Sequence, residues 1–139
     1  MAISRGAGTE IIRSATFKEV DSTETILIVG EQHHIYTVLS IIIFTRGIQA
    51  AGNYFHIKLE CYDSKAGTTD TDPKILATPM QLYQTFVWND KFSFNGAEPA
   101  NFTGPMDDAT KQNAIADQGS TPVAQKLICW SDHASDNFD

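Results

Sequence analysis

The sequence has few of the features that mark several large protein classes. It contains only two cysteines, Cys61 and Cys129, so a disulfide-rich scaffold is excluded. Each lies in an apolar, strand-like run, which predicts buried thiols, although a bond between neighbouring strands stays open. The longest apolar run, 38–44, is too short to cross a bilayer. No apolar core follows Arg5, so no signal peptide is expected, and the protein is predicted to be soluble and made in a cytoplasm.

Basic residues are also scarce. Ten lysines and arginines face 17 acidic residues, the formal net charge is −7, and the basic residues do not cluster. Such a surface repels phosphate groups, so neither nucleic acid nor a membrane is expected as a partner. With 139 residues the chain predicts one domain that folds without a metal or cofactor.

Residue patterns that would indicate catalysis are weak. Ser131, Asp132 and His133 are the residue types of a serine triad, but neighbours in sequence rarely converge in space, and these residues are common in turns. Histidine and cysteine pairs lack zinc spacing. The acidic loop 63–73 leaves bound calcium open, without an EF-hand spacing. The sequence therefore predicts a protein that is not an enzyme, with no catalytic, cofactor-binding or metal-binding residues.

Alternation of apolar and polar residues predicts an all-β fold. In 54–62 the apolar row is Phe55, Ile57, Leu59 and Cys61, which is typical of a strand with one wet face. The nearly continuous apolar run 34–44 predicts one strand covered on both faces. We predict strands at 10–17, 24–29, 34–44, 54–62, 74–78, 81–88, 91–94 and 125–131, with the start of a last strand at 137–139. Short strands between turn signals favour an antiparallel β-sandwich of the jelly-roll kind, in which the rows 55–61 and 82–88 share one dry layer.

Two segments interrupt this rhythm. Residues 1–9 carry no pattern and predict an N-terminal arm that lies against a partner subunit. Residues 97–124 form a long insertion in the sandwich domain 10–139. Within it, Pro105 suits a first helical position and Gly119 suits a stop, which predicts a short helix over 105–117.

The polar row of 54–62 predicts an interface. Tyrosine is enriched at protein interfaces, and this row would face water on a strand. A carbohydrate platform built on aromatic residues such as Trp88 and Trp130 is the competing interpretation. The predicted interface residues, including two from the arm, are Ile3, Arg5, Tyr54, His56, Lys58 and Tyr62.

Three segments carry a resemblance to a known group. HIYTVLSIIIF followed by FHIKLECYDS, then ATPMQLYQTFVWNDKFSF, then QKLICWSDHASDNFD resemble small β-sandwich virion proteins of tailed bacteriophages, especially marine ones. In those proteins a later strand runs into a turn, which here is the segment 89–92, and a polar turn separates the final strands, here 131–137. The resemblance covers roughly residues 34–139, and this chain departs from it in the longer 97–124 segment and the short last strand.

The resemblance implies a structural protein located in the virion and built in the host cytoplasm. A homo-oligomeric capsid decoration protein is the first expectation, and a neck or tail component is the alternative. The implied partners are identical subunits and the major capsid or tail proteins. A carbohydrate-binding β-sandwich module and a small hydrolase using Asp132 and His133 are the rival functions. Host, oligomer order and position in the virion stay open.

Overall fold

The structure is a computed structural model that describes residues 10–63, 68–71, 73–99 and 122–139. Within these ranges the chain forms twelve β-strands and no helix, and every strand pair is antiparallel. The fold is therefore all-β and consistent with a β-sandwich, as predicted. The predicted arm 1–9, the helix 105–117 and most of the 97–124 insertion lie outside the described residues.

The strands follow one another closely along the chain. They are β1 Thr25–Val29, β2 Ile35–Val38, β3 Ile41–Gly47, β4 Tyr54–Asp63, β5 Thr68–Thr71, β6 Lys74–Pro79, β7 Thr85–Trp88, β8 Phe92–Asn95, β9 Ala97–Pro99, β10 Pro122–Ala124, β11 Lys126–Ser131 and β12 Asn137–Phe138.

Sheet I is built around the long strand β4. β11 pairs with one edge of β4, while β6 and β5 pair with successive parts of the other edge, and β1 lies beyond β11. The register places Cys129 opposite Ile57 and Leu127 opposite Leu59. Because side chains alternate along a strand, this register puts the apolar rows of β4 and β11 on one face.

Sheet II is built around β3, which lies between β12 and β7. The pair β2–β8 continues the pair β3–β7 as one long ribbon, since only residues 39–40 separate β2 from β3 and residues 89–91 separate β7 from β8. One strand thus has an extra residue at the junction, which is the signature of a β-bulge and bends a ribbon. The single strand predicted over 34–44 is therefore two strands joined at this bend.

The prediction that 34–44 is covered on both faces is wrong. Ile43 and Thr45 are buried, whereas Ile42, the residue before Ile43, is 65% exposed, and Phe44, which lies between Ile43 and Thr45, is also exposed. A run of apolar residues gives no periodicity, so the sequence hides which face is covered. The predicted strand at 10–17 is wrong as well, because residues 10–18 belong to no strand of the described chain.

The core lies between the two sheets. Phe55 and Ile57 are buried in it, and Phe86 and Trp88 from β7 are half-buried against it. The two predicted rows therefore contribute to one apolar layer, except for Leu82, which precedes β7 and is exposed. Buried apolar residues complete the core: Val20, Val38, Ile43, Leu76, Met80, Phe94, Leu127, Cys129 and Phe138.

Two glycines allow the segments around β1 and β8 to approach each other. A Cβ atom added at Gly30 would lie 2.0 Å from the carbonyl oxygen of Gly96, and one added at Gly96 would lie 2.1 Å from the carbonyl oxygen of Glu31. The N–H of Gly30 donates to the carbonyl of Gln125 at 2.8 Å, and the N–H of Gln125 donates to that of Gly96 at 2.9 Å. Only glycine fits this close approach of backbones.

Neither cysteine forms a disulfide, as the sequence predicts. Cys129 is buried in the core row of β11, and burial raises the pKa of its thiol to about 12. Cys61 is only half-buried. A thiol with so high a pKa is an apolar packing residue rather than a nucleophile.

Candidate interaction surfaces

The outer face of sheet I carries a stack of aromatic rings. β4 and β11 place His56 directly opposite Trp130, and their ring centroids are 4.8 Å apart with an interplanar angle of 14°. Tyr54, two residues before His56 on the same face, stacks on it at 6.0 Å and 23°. With Lys58 and Asp132, these residues form what we call the Trp130 cluster.

Asp132 joins the stack to the turn that follows β11. Its carboxylate accepts hydrogen bonds from Nε2 of His56 at 2.7 Å and from the backbone N–H of Tyr54 at 2.8 Å. Because a carboxylate only accepts, Nε2 of His56 carries the hydrogen. Nδ1 of His56 is buried and has no hydrogen-bond partner among the described residues.

The electrostatics of Asp132 follow from these contacts. Partial desolvation pushes the pKa of its carboxyl upward. The hydrogen bonds from His56 and Tyr54, together with the charges of His56 and Lys74, outweigh that effect, so the pKa lies below its ordinary value. The cluster therefore holds Asp132 as a carboxylate.

Lysine side chains cover the indole of Trp130. The Nζ atom of Lys58 lies 5.3 Å from the ring centroid and forms a 2.7 Å ion pair with Glu24. The Nζ atom of Lys74 lies 5.8 Å from the same ring. Both distances are within the range of a cation–π contact. Around Trp130, the outer face of sheet I is thus covered by groups that pair with one another, apart from Nδ1 of His56.

Asp136 anchors the turn after β11. It is buried, and its carboxylate accepts from the N–H of Gln49 at 2.8 Å, the side-chain amide of Asn53 at 3.1 Å and the N–H of His133 at 3.2 Å. Buried carboxylates are stable only with such partners. The turn is therefore fixed to the loop between β3 and β4.

The residues that resembled a triad do not converge. Ser131 is buried, and its hydroxyl donates to the carbonyl of His133 at 3.2 Å. Nδ1 of His133 accepts from the N–H of Ser135 at 3.0 Å, while Asp132 pairs with His56 instead. These hydrogen bonds stabilise a turn and a strand. They do not connect a nucleophile to a base and that base to an orienting acid, as a catalytic triad requires.

The outer face of sheet II is apolar and open. Ile42 on β3 lies directly opposite Val87 on β7, and these side chains are 65% and 48% exposed. Phe44 is the next outward residue of β3, and Tyr83, which is 70% exposed, donates its N–H to Thr45 at 2.9 Å just before β7. We call Ile42, Phe44, Tyr83 and Val87 the apolar face.

Charged residues border the apolar face on the β12 side. Arg46 forms a 2.6 Å ion pair with Asp139, and a second guanidinium nitrogen lies 3.8 Å from Glu19. Desolvation raises the pKa of Asp139, but the N–H of Glu19 and the charge of Arg46 outweigh it, so that pKa is lowered. An apolar centre with a charged rim is the usual anatomy of an interface.

The structure places the predicted interface residues unevenly. Tyr54 is 44% exposed, but His56 is only 9% exposed and the Lys58 side chain is largely covered. The prediction that these two residues face water is wrong, because Trp130, Glu24 and Asp132 lie against them. Ile3, Arg5 and the side chain of Tyr62 lie outside the described residues.

Sequence reasoning missed Asp132 and Asp136 as positioning groups and Ile42 and Val87 as surface residues. The sequence carries no signal for Ile42, since residues 41–44 are apolar on both faces of the strand. No sequence signal indicated that Asp132 reaches His56, because 76 residues separate the two.

No family model, curated protein or solved structure matches the chain. Among the described residues, no group of three or more histidine, cysteine, aspartate or glutamate side chains could hold a metal ion. The same residues contain no helix of the length and apolarity needed to span a membrane. The geometry of the two outer faces is therefore the basis for assigning a function.

Proposed function

We propose that the chain is a virion structural protein that assembles as a homo-oligomer, with capsid decoration as its role. One observation carries the assembly part of the proposal: a folded domain that satisfies its charges on sheet I leaves Ile42, Phe44, Tyr83 and Val87 exposed together on sheet II. Contiguous exposed apolar side chains mark interaction sites on soluble domains.

The chemistry of this face fits a protein partner. Ile42 and Val87 are branched aliphatic residues in direct cross-strand contact, and Tyr83 and Phe44 are aromatic. Aromatic residues are enriched at interfaces, where their burial supplies much of the binding energy. The partners that we assign are identical subunits, and beyond them the major capsid protein.

The virion assignment is supported by the resemblance of the segments 34–44 with 55–64, 77–94 and 125–139 to phage virion proteins. Short strands between turn signals support a jelly-roll order. Pro105 and Gly119 support a helix over 105–117, in the segment where the chain departs from the resemblance. A neck or tail component would use the same surface on a different virion partner. An antibody raised against the chain should label phage particles on the capsid shell, whereas label confined to the tail would select the alternative.

A carbohydrate-binding module is the second candidate. It is favoured by Tyr54, which is the exposed outer ring of the stack with His56 and Trp130. Sugars stack on exposed aromatic rings, but the lysines and His56 already cover Trp130. Binding on a glycan array that is lost on Tyr54→Ala would establish this function, and a silent array would remove it.

Sedimentation of the full chain over a range of concentrations tests the main proposal. We expect a closed oligomer for the wild type. Ile42→Glu should dissociate it, because a buried unpaired charge is costly, whereas Thr37→Glu on the exposed outer face of β2 should leave it intact. A wild-type chain that stays monomeric at high concentration and never copurifies with particles would contradict the proposal.

A further inference from the structure

One edge of sheet II is open. Within the described part of the chain β7 pairs with β3 only, so its other edge has no strand partner. The inward side chains of β7, Phe86 and Trp88, are only half-buried, while Ile43 beside them is fully buried. An added strand at this edge would complete the burial of both aromatic rings.

The register shows which backbone groups point to the open edge. The N–H of Thr45 donates to Gln84 next to β7 at 2.9 Å, and the N–H of Phe44 donates to Asp139 on the opposite side at 2.9 Å. Backbone groups alternate in direction along a strand. Residues Phe86 and Trp88 therefore bond β3, and the N–H and C=O groups of Thr85 and Val87 face outward.

Residues 10–16 are suited to pair with such an edge. All seven are exposed and belong to no strand, and Ile12 is 79% exposed. The sequence EIIRSAT is rich in β-branched residues, which favour strands. Its continuation is anchored, because Phe17 packs against the core and the N–H of Val20 donates to Phe138 at 2.9 Å.

Residues 10–16 and the open edge of β7 lie at opposite edges of sheet II. Val20 pairs with β12, and sheet II continues from β12 through β3 to β7. At about 4.8 Å per strand, the segment leaves the sheet roughly 14 Å from the edge of β7. Residues 10–16 could therefore reach β7 of the same chain only by crossing a face of sheet II. If a second copy lies beside the first, edge to edge, its β7 is next to this segment.

Charge favours the same pairing. Arg5, Arg13 and Lys18 against Glu10 give the first 18 residues a formal charge of +2, so the remainder of the chain, whose total is −7, carries −9. The pairing residues 10–16 are neutral, since Glu10 offsets Arg13, so attraction to an acidic body comes from Arg5 and Lys18 on either side of them. Without this difference, two copies of an acidic protein would repel each other.

We propose that residues 10–16 of one copy add as a strand to the open edge of β7 in a second copy. This inference rests on the proposed homo-oligomer and specifies how it is built. The donor and acceptor edges differ, so the contact is heterologous, and repeated contacts of this kind form a ring when the rotation from one copy to the next closes. Strand addition supplies backbone hydrogen bonds from Thr85 and Val87. Ile11 and Ile12 are neighbours and would point to opposite faces of the added strand, so that one extends the apolar face and the other lies on the side of Phe86 and Trp88.

A disulfide trap in the full chain tests the pairing. In a Cys61→Ser background, Ile12→Cys with Val87→Cys should give covalent multimers on mild oxidation, since Cys129 is buried. Ile12→Cys with Ile26→Cys, which is exposed on the edge strand β1, is the matched control and should stay uncrosslinked. A bond formed within one chain, or equal crosslinking of both pairs, overturns the inference.

A proline at the open edge gives a second test. Val87→Pro removes an N–H that points away from β3, so the hydrogen bonds between β7 and β3 are kept. Val87→Thr is the control, because it keeps both the N–H and the branched shape of the side chain. We expect the proline variant to raise the dissociation constant of the oligomer at least about tenfold, with unchanged circular dichroism. If the wild type is oligomeric and the proline variant assembles equally well, strand addition is overturned but the proposed function is not. A monomeric wild type overturns the proposed function too.

Discussion

The outer faces of the two sheets differ in what lies over them. On sheet I, Asp132 and Glu24 come from outside the central strands and pair with His56 and Lys58, and lysines cover the ring of Trp130. On sheet II, Ile42 and Phe44 of β3 and Val87 of β7 are apolar and exposed. The difference indicates that contacts on sheet I stabilise the isolated chain, whereas sheet II carries the exposed apolar surface that the proposed assembly would use.

The alternation of side chains between the two faces of a strand thus has two outcomes. In β4 it separates a core row from a row that other segments of the chain cover. In β3 it separates a core row from a row that stays open to water. Period-two patterning fixes the register of a strand, but it contains no information on whether a distant segment returns over the second face.

The largest expected effect concerns Asp136, which anchors the turn after β11. Asp136→Ala should lower the free energy of unfolding by about 3 kcal/mol, because it leaves several buried donors without an acceptor. Urea denaturation measures the change. Asp136→Asn keeps an acceptor oxygen and should cost clearly less. Equal losses in both variants would show that the charge matters rather than the hydrogen bonds.

The next effect compares an aromatic residue from each face. Trp130→Ala should cost about 2 kcal/mol, because the indole is packed between His56 and the lysines. Tyr83→Ala should stay within about 0.5 kcal/mol in the unfolding of the monomer, since its side chain is largely exposed. Similar losses at both positions in dilute protein would contradict the contrast between the faces.

Much of the fold follows from local patterns in the sequence. The strands β1, β4, β6, β8, β11 and β12 lie where alternation or turn signals predict them, and the apolar row of β4 is in the core. The segment 10–17 failed because strand propensity is satisfied only when a partner edge is present, and none lies beside it in the described chain. Propensity describes the segment, whereas a strand requires a pair.

The candidate surfaces were less predictable. The sequence predicted that the side chain of His56 faces water, because His56 and Ile57 are neighbours and point to opposite faces of the strand. In the structure, Asp132 and Trp130 contact His56 from a distant part of the sequence. Ile42 was assigned to the core because hydrophobicity alone does not distinguish a buried residue from an interface residue. Both errors concern what covers a face of a strand, which depends on distant residues and not on the local pattern.

The third prediction separates stability from assembly within one strand. Ile42→Thr should change the unfolding free energy of the monomer by less than about 0.5 kcal/mol, because the side chain is exposed. The neighbouring Ile43→Thr should cost about 2 kcal/mol by burying a hydroxyl and losing contacts. Ile42→Thr should still weaken self-association in sedimentation. A large loss of monomer stability at Ile42 would mean that this face is covered within one chain.

The smallest effect is the pH dependence of the pair in the Trp130 cluster. The folded-state pKa of Asp132 lies below the ordinary value of 3.8, so its contribution is present above that pH and is lost as the pH falls through the folded-state pKa. The stability difference between wild type and Asp132→Asn should therefore shrink as the pH falls below about 4. We expect a difference of about 0.5 kcal/mol above that pH, since solvent screens the well-exposed carboxylate.

In a His56→Gln background most of this pH dependence should disappear, because His56 supplies the first of the interactions that lower the pKa of Asp132. A pH dependence that survives in that background would assign the shift to Tyr54 and Lys74 instead.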